Sequence, residues 1–358
     1  MVSQRTGFTT GTCAAAAAKA ATIFLSRGTA VKAVSVRLPG GTATELPIER
    51  VSADSASASA SVRKDAGDDP DVTDGCLVVA TVAWTSGEEV SIRAGEGVGT
   101  VTKAGLAVPP GEPAINPVPR RMIRSAVREV TNRGVQVTVS IPGGEDLARK
   151  TFNPRLGVVG GLSILGTSGI VRPFSGEALR DALKCSLSVA VACKVTRPVF
   201  VPGRIGEKAA GALLRLVPEQ LVEVSNEWGF MLDEAARFDF QALLALGHPG
   251  KLAKLPAGDW DTHSSRSASA VPAVAALAEK ALGKEVPESH TVEGLLMALD
   301  PVERRRLSDL LAGHVREAIF CRIGKRFPVA VILVNLAGTL LGMDGEVTPW
   351  APGGIPSP

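Results

Sequence analysis

The sequence predicts a mixed α/β protein: an N-terminal α+β domain over 1–150, a Rossmann-like parallel-sheet α/β domain with extra C-terminal helices over 151–348, and a loose tail over 349–358. Three observations predict it. The first half places short alternating apolar and polar runs around one alanine-rich helical stretch, the pattern of strands with one wet face. The second half alternates apolar runs with helical stretches, as a parallel sheet covered on both faces does. A chain of 358 residues is long enough for two cores, and a glycine-rich segment at 151–173 marks the change of pattern.

In chain order, RTGFTTGTCAAAAAKAATIFLSRG comes first. Thr9, Thr10 or Thr12 can cap a helix over 14–26, alanine being the best helix former, and Gly28 stops it. Its start, ringed by Gly7, Gly11 and threonine hydroxyls, reads either as a well-capped helix or as a cradle for carboxylate or phosphate. Strands follow at 34–38, 57–64, 76–84 and 89–93. VRKDAGDDPDVTDG lies between the second and third, with Asp65, Asp68, Asp69, Asp71 and Asp74 among turn formers. It reads as a solvated loop, a cation loop or a substrate-facing acid cluster; the bidentate glutamate of an EF-hand is missing. Gly95, Gly97 and Gly99 precede Lys103, and Pro117 and Pro119 introduce a helix. That helix sets Arg120, Arg124 and Arg128 on one face, with Arg121 beside them, either solvated or placed to clamp a polycarboxylate. A strand at 135–141 and a PGGE turn close this half.

The segment TFNPRLGVVGGLSILGTSGIVRP holds Gly157, Gly160, Gly161, Gly166 and Gly169, with hydroxyls at Ser163, Thr167 and Ser168. Such a cluster serves close backbone approach or a nucleotide loop, and it lacks the G-x-G-x-x-G spacing. Ser175 can cap a helix over 177–193. Strands are expected at 198–201, 222–224, 242–246 and 329–334, with helices at 206–216 and 229–238. Residues 271–320 read as several short helices interrupted at Pro287 and Pro301. SNEWG at 225–229 and GHPGK at 247–251 each follow an apolar strand and precede a helix, where open parallel sheets bind ligands. DTHSS at 261–265 adds His263 beside three hydroxyls; His248 and His263 are candidate acids, bases or orienting donors, or structural turn residues.

The totals exclude several classes. A net charge of +3, without a Lys/Arg run, gives no footprint for nucleic acid, and the scarcity of aromatics removes a base-stacking platform. No tyrosine is present to serve as an acid. Five cysteines without C-x-x-C read as reduced thiols, with Cys185 and Cys193 expected as buried small residues on one helix. Four histidines without ligand spacing argue against zinc, and the N-terminus lacks a secretory pattern, so a cytoplasmic protein with no membrane span is expected.

TGFTTGTCAAAAAKAA, KDAGDDPDVT, GVGTVTKAGL, AINPVPRRMI, PGGEDLARKTFNPRLGVVGGLSILGTSGIV, VSN and GHPGK occur in this order over roughly residues 5–265. In these segments the chain resembles the CbiD family of anaerobic cobalamin biosynthesis. The resemblance implies methyl transfer from S-adenosylmethionine to ring carbon 1 of cobalt-precorrin-5B, giving cobalt-precorrin-6A. With it come a tetrapyrrole partner and no protein-bound metal, the cobalt arriving inside the substrate. On this reading Asp68, Asp69, Asp71, His248 and His263 are catalytic candidates. Strand-end logic, and not the resemblance, gives the cofactor to Gly157, Gly160, Gly161, Ser163, Gly166, Thr167, Ser225, Asn226 and Gly247. The substrate falls to Thr9, Thr10, Thr12, Lys64, Asn116, Arg120, Arg121, Lys251, Thr262 and Ser264. Asp74, Glu227, Trp228, Pro249, Asp261 and Arg266 depart from the family pattern. The departures at Asp74 and Asp261 keep one rival, a corrinoid-binding carrier without chemistry. A nucleotide-dependent oxidoreductase on the same parallel sheet is a second rival, against which the absent G-x-G-x-x-G speaks; a homo-oligomer is a further option.

Overall fold

The structure, a computed structural model, describes residues 4–173 and 175–355. It divides into two compact units, Met1–Ala178 and Leu179–Pro358. The glycine-rich segment at 151–173, assigned from sequence to the second domain, is therefore part of the first unit.

The first unit begins with β1 (Gly7–Phe8), α1 (Thr10–Arg27), β2 (Ala33–Arg37), β3 (Ala43–Pro47), β4 (Arg50–Ala53), β5 (Ser57–Arg63) and β6 (Leu77–Trp84). It continues through β7 (Val90–Ala94), β8 (Thr100–Val101), α2 (Pro117–Arg128), β9 (Val135–Ser140), α3 (Gly144–Ala148), β10 (Val158–Val159) and β11 (Ile170–Val171). Its main sheet runs β4-β5-β6-β9-β7, antiparallel except for the parallel β7–β9 pair. In β6 Val78, Ala80 and Val82 alternate inward, and α1 packs against β5, β6 and α2. Residues 10–18 and 20–22 of α1 are all buried, so the helix is enclosed on every side. Alanine suits this place: it has the best propensity and keeps the neighbours close. The helix starts four residues earlier than its alanines suggest, on the Thr9 cap, and ends at Gly28 in the left-handed region (φ 65°).

α4 (Gly176–Ala192) begins at the boundary; Cys193 lies one residue beyond its end and is exposed, and Cys185 is half-buried, so neither is the core residue expected. The second unit continues with β12 (Val199–Val201), α5 (Arg204–Leu213), β13 (Leu221–Glu223), α6 (Trp228–Ala235), β14 (Leu243–Gly247) and α7 (Pro249–Leu252). It closes with α8 (Val271–Leu282), α9 (Val292–Met297), α10 (Pro301–Arg322), β15 (Val329–Val334) and β16 (Leu340–Asp344). The sheet order is β13-β12-β14-β15-β16, with four parallel strands and an antiparallel β16 at the edge. β14 and β15 are buried throughout. Val329, Val331 and Leu333 face one core and Ala330, Ile332 and Val334 another, the two-sided burial of a parallel sheet.

Pro301 does not interrupt a helix. It is the first residue of the 22-residue α10, where its missing N–H removes no bond and the Asp300 carboxylate caps the N–H groups of Val302 and Glu303. The start of the tail is packed, Trp350 being buried with its indole N–H donating to Arg197 O at 2.9 Å, whereas residues 352–354 are exposed. Residues 356–358 of the expected tail lie outside the described residues.

Two neighbouring glycines separate the uses of this residue. A methyl group at Gly161 would overlap the Gly97 backbone, whereas one at Gly160 would meet open space at φ 82°. Gly161→Ala is expected to lower stability by at least about 3 kcal/mol through overpacking. Gly160→Ala should cost only about 1–2 kcal/mol, the left-handed backbone term. Urea unfolding of both variants checks the contrast.

Candidate functional site

In the first unit the regions picked from sequence converge at the start of α1. Thr9, Thr10 and Thr12 are buried, and residues 163–169 occupy their polar groups. Gly11 N–H donates to Leu165 O (3.0 Å) and Thr12 Oγ1 to Gly169 O (2.7 Å). Thr10 Oγ1 accepts the Leu165 N–H (3.0 Å), and Thr9 Oγ1 accepts the Thr12 N–H (3.2 Å). A helix start that could cradle an anion is thus filled by the protein's own carbonyls. Asn116 joins the same segment, its N–H donating to Ile164 O at 2.9 Å.

The glycines expected on a nucleotide loop are used mainly for close approach. A methyl at Gly157 would strike Lys103, one at Gly161 the backbone of Gly97, and one at Gly166 the Thr9 side chain. Ser163 Oγ donates to Oδ1 of the buried Asn153 (3.3 Å), and Thr167 is exposed.

The acidic loop is held by local pairing. Arg5 donates its backbone N–H to Asp68 Oδ2 (2.7 Å) and its guanidinium to Asp65, while Asp74 Oδ1 accepts the Ala66 N–H (2.8 Å). Lys64 is 2% exposed and its ammonium donates to Asp71 Oδ2 at 2.7 Å. Asp71 Oδ1 accepts the Thr73 N–H (2.8 Å) and hydroxyl (2.7 Å). Burial by itself would raise the Asp71 carboxyl, but Lys64 and Thr73 outweigh it and hold it below its ordinary range. Asp69 sits half-buried on the same loop.

Arg120, Arg124 and Arg128 of α2, half-buried or exposed, also bond the protein's own backbone. Arg120 donates to Ile115 O (2.7 Å), Pro113 O (3.1 Å) and Glu112 (3.0 Å), and Arg124 to Val90 O (3.3 Å). Arg128 donates to Thr131 O (3.2 Å), Arg133 O (2.9 Å) and Glu88 O. The arginines expected to clamp a polycarboxylate thus each bond backbone carbonyls of neighbouring turns or of β7, partners that helical spacing does not reveal. Arg121 is exposed and has no partner among the described residues.

In the second unit the picked residues gather at the carboxyl edge of the sheet. Ser225, just beyond β13, is one of the few non-glycine residues with positive φ (52°), a strained conformation of the kind found at functional sites. Asn226 accepts the Thr262 N–H on its backbone oxygen (3.0 Å) and the Thr262 hydroxyl on Oδ1 (3.3 Å). Its amide nitrogen has no hydrogen-bond partner among the described residues. Gly247 ends β14, and a methyl there would lie 3.0 Å from Pro202.

Both ring nitrogens of His248 are engaged. Nδ1 accepts the Gly250 N–H (3.0 Å), which places the proton on Nε2, where it donates to Glu293 Oε2 (2.9 Å). Glu293 Oε1 accepts the Leu336 N–H (3.1 Å), so His248 pins the end of β14 to α9 and to the turn after β15. His263 is exposed, and its Nδ1 closes its own turn by accepting the Ser265 N–H (3.2 Å). Ser264 is exposed beside it and Thr262 is buried. Burial pushes the half-buried Lys251 ammonium below its ordinary range, against the opposing charge of Glu223.

Sequence reasoning missed Gly203, Glu223, Lys254 and Glu293. Gly203 lies two residues beyond β12 and Glu223 ends β13, so the strand-end logic that picked 225–229 and 247–251 could have found them. Lys254 is buried and donates to Ser267 Oγ (2.7 Å) and Thr262 O (3.3 Å), tying down the loop that carries Thr262.

Several of the departures from the family pattern form one charge network. The buried Glu227 pairs with Arg180 (2.7 Å) and Arg266 (3.8 Å), and Arg266 pairs with Asp261 (2.6 Å). No cluster of three or more metal-ligating side chains occurs among the described residues, and no helix there is long and apolar enough to cross a membrane. A surface groove of about 1080 Å³ follows α10 past Arg305, Asp309 and His314; none of the residues picked from sequence lines it.

Comparison with known proteins extends over both units. A family model described as CbiD matches residues 1–173. A cobalt-precorrin-5B C(1)-methyltransferase of Syntrophotalea carbinolica is 55% identical over 96% of this chain and 98% of that protein. One of Methanocaldococcus jannaschii is 41% identical over 94% and 95%. The crystal structure of the cobalamin biosynthesis protein CbiD from Archaeoglobus fulgidus is similar at 30% identity, covering 74% of this chain and 83% of that one with a TM-score of 0.39.

The Lys64–Asp71 pair gives stability a definite pH dependence. The folded carboxyl has the lower pKa, so the unfolded chain binds more protons as pH falls. The contribution is full above the unfolded value of about 4 and is lost as pH drops through the folded one. Asp71→Asn is expected to flatten that acid limb and to cost about 3 kcal/mol at neutral pH by leaving Lys64 buried without its counter-charge. Thermal unfolding of both proteins between acid and neutral pH measures this.

Proposed function

The chain belongs to the CbiD family, and from that premise we propose that it methylates ring carbon 1 of cobalt-precorrin-5B with S-adenosylmethionine as donor. The observation that carries this reading is high identity to a C(1)-methyltransferase over nearly the whole of both chains, 55% over 96% and 98%. A match confined to one unit would have left the activity open.

We assign the donor to the carboxyl edge of the second unit's sheet. Ser225, Asn226 and Gly247 stand there, with an unpartnered amide nitrogen and strained backbone, and the strand order of the sheet favours ligands at that edge. The glycine segment of the first unit is assigned a packing role, since the start of α1 and the turn at Gly97 already use it. S-adenosylmethionine supplies an electrophilic methyl group on a sulfonium. An electron-rich tetrapyrrole carbon is itself nucleophilic, so the residues of this chain have to position and desolvate rather than remove a proton. His248, with both ring nitrogens engaged, fits an orienting role better than that of a base. Lys251, just beyond β14 at the same edge of the second sheet, is the cation we assign to a carboxylate of the tetrapyrrole.

Calorimetric titration with S-adenosylhomocysteine, then again with cobalt-precorrin-5B present, tests the assignment. Saturable binding is expected, tightened by the corrinoid, and Asn226→Ala should weaken it about tenfold while the fold is kept. Corrinoid binding with no affinity for S-adenosylhomocysteine under either condition would replace this reading with that of a carrier.

A further inference from the structure

The sheet of the second unit changes direction at β12. From β12 the chain moves outward to β13, then returns to β14 on the other side. Loops leaving the two flanking strands part in opposite directions, and open parallel sheets bind ligands at such a switch point. The turn at 202–204 stands just beyond the end of β12, at this switch point. Gly203 has φ 141°, a region closed to side chains, and an atom in the Cβ position would lie 3.8 Å from Glu223 Oε1. The carboxylate that ends β13 therefore borders the glycine turn that ends β12. Gly206 lets α5 close onto the sheet, since a methyl there would come within 2.9 Å of Val201 Cβ and 3.1 Å of Leu246 O. From the other flank, Lys251 beyond β14 lies within electrostatic reach of Glu223.

These parts have a physical logic in common with ribose sites. A glycine turn after one strand admits a ligand close to the backbone, and a second glycine packs the following helix tightly. An acid at the end of the next strand, about twenty residues on, accepts from ribose hydroxyls. We infer that Glu223 accepts hydrogen bonds from the 2′- and 3′-hydroxyls of the donor's adenosine, seated over the Gly203 turn. The ligand class is a nucleoside with a free ribose diol, because a carboxylate at this place repels a 2′-phosphate. The inference rests on the assignment of the donor to this edge of the sheet.

Titration of the full chain with S-adenosylhomocysteine and with its 2′-deoxy and 3′-deoxy counterparts, repeated on Glu223→Gln, decides it. Removing a hydroxyl or the carboxylate charge is expected to weaken binding by about ten- to a hundredfold. In E223Q the difference between the ribose and deoxyribose ligands should shrink to below about threefold, because the two changes remove one interaction. Wild-type binding of S-adenosylhomocysteine without a deoxy effect overturns the inference and leaves the methyltransferase reading intact. The same holds for an E223Q that keeps full affinity and full discrimination. A wild-type chain that binds no S-adenosylhomocysteine, with or without the corrinoid, overturns both. Should E223Q fail to fold, the deoxy series on the wild-type chain decides alone.

Discussion

The first unit depends on how the buried start of α1 is satisfied. A helix leaves its first four N–H groups without intrahelical acceptors, and here that end lies under protein rather than water. Residues 163–169 accept from the N–H groups of Thr9 and Gly11 and from the Thr12 hydroxyl, Thr9 Oγ1 takes the Thr12 N–H, and Thr10 Oγ1 accepts the Leu165 N–H in return. Each buried polar group left unmatched would cost about 1–3 kcal/mol, so the clasp is worth far more intact than its separate bonds suggest. It also explains two kinds of small residue at once. Alanine on the helix and glycine on the segment let two backbones meet where larger side chains would hold them apart.

Much of the fold can be read from the residues themselves. The helix at 14–26, the strands at 57–64 and 76–84, and the parallel strands of the second half all stand within a few residues of their expected places, because periodicity and burial agree there. β3, β4 and β16 carry weaker patterns; Ala43–Pro47 is mostly exposed, so its alternation has little apolar contrast. The candidate site was less legible. Helical spacing correctly put Arg120, Arg124 and Arg128 on one side but could not show which carbonyls lay within reach of them. Glycine clusters are ambiguous for a deeper reason: close approach to a ligand and close approach to another backbone demand the same residue, and only the partner tells them apart. Gly203 and Glu223 escaped because neither stands in a cluster.

The two units treat polar groups differently. In the first unit the threonine hydroxyls of α1, the loop aspartates and most of the arginines of α2 each find partners within the protein. At the carboxyl edge of the second sheet the pairing is incomplete by comparison. An Asn226 amide, a strained Ser225 and the half-buried Lys251 remain at strand ends whose positions are fixed by buried β12, β14 and β15. Rigid strands holding underused polar groups are the arrangement that binding with geometric selectivity needs.

The clasp on α1 also bears on how the chain is made. Thr10 and Leu165 are separated by 155 positions in sequence. At ribosomal speed, α1 emerges roughly 8–30 s before the residues that complete its first turn. During that interval an alanine-rich helix and the strands meant to surround it are outside the ribosome without their closing segment. Vectorial synthesis therefore leaves the start of α1 without its closing segment for that time, and the clasp can form only once residues 163–169 have emerged.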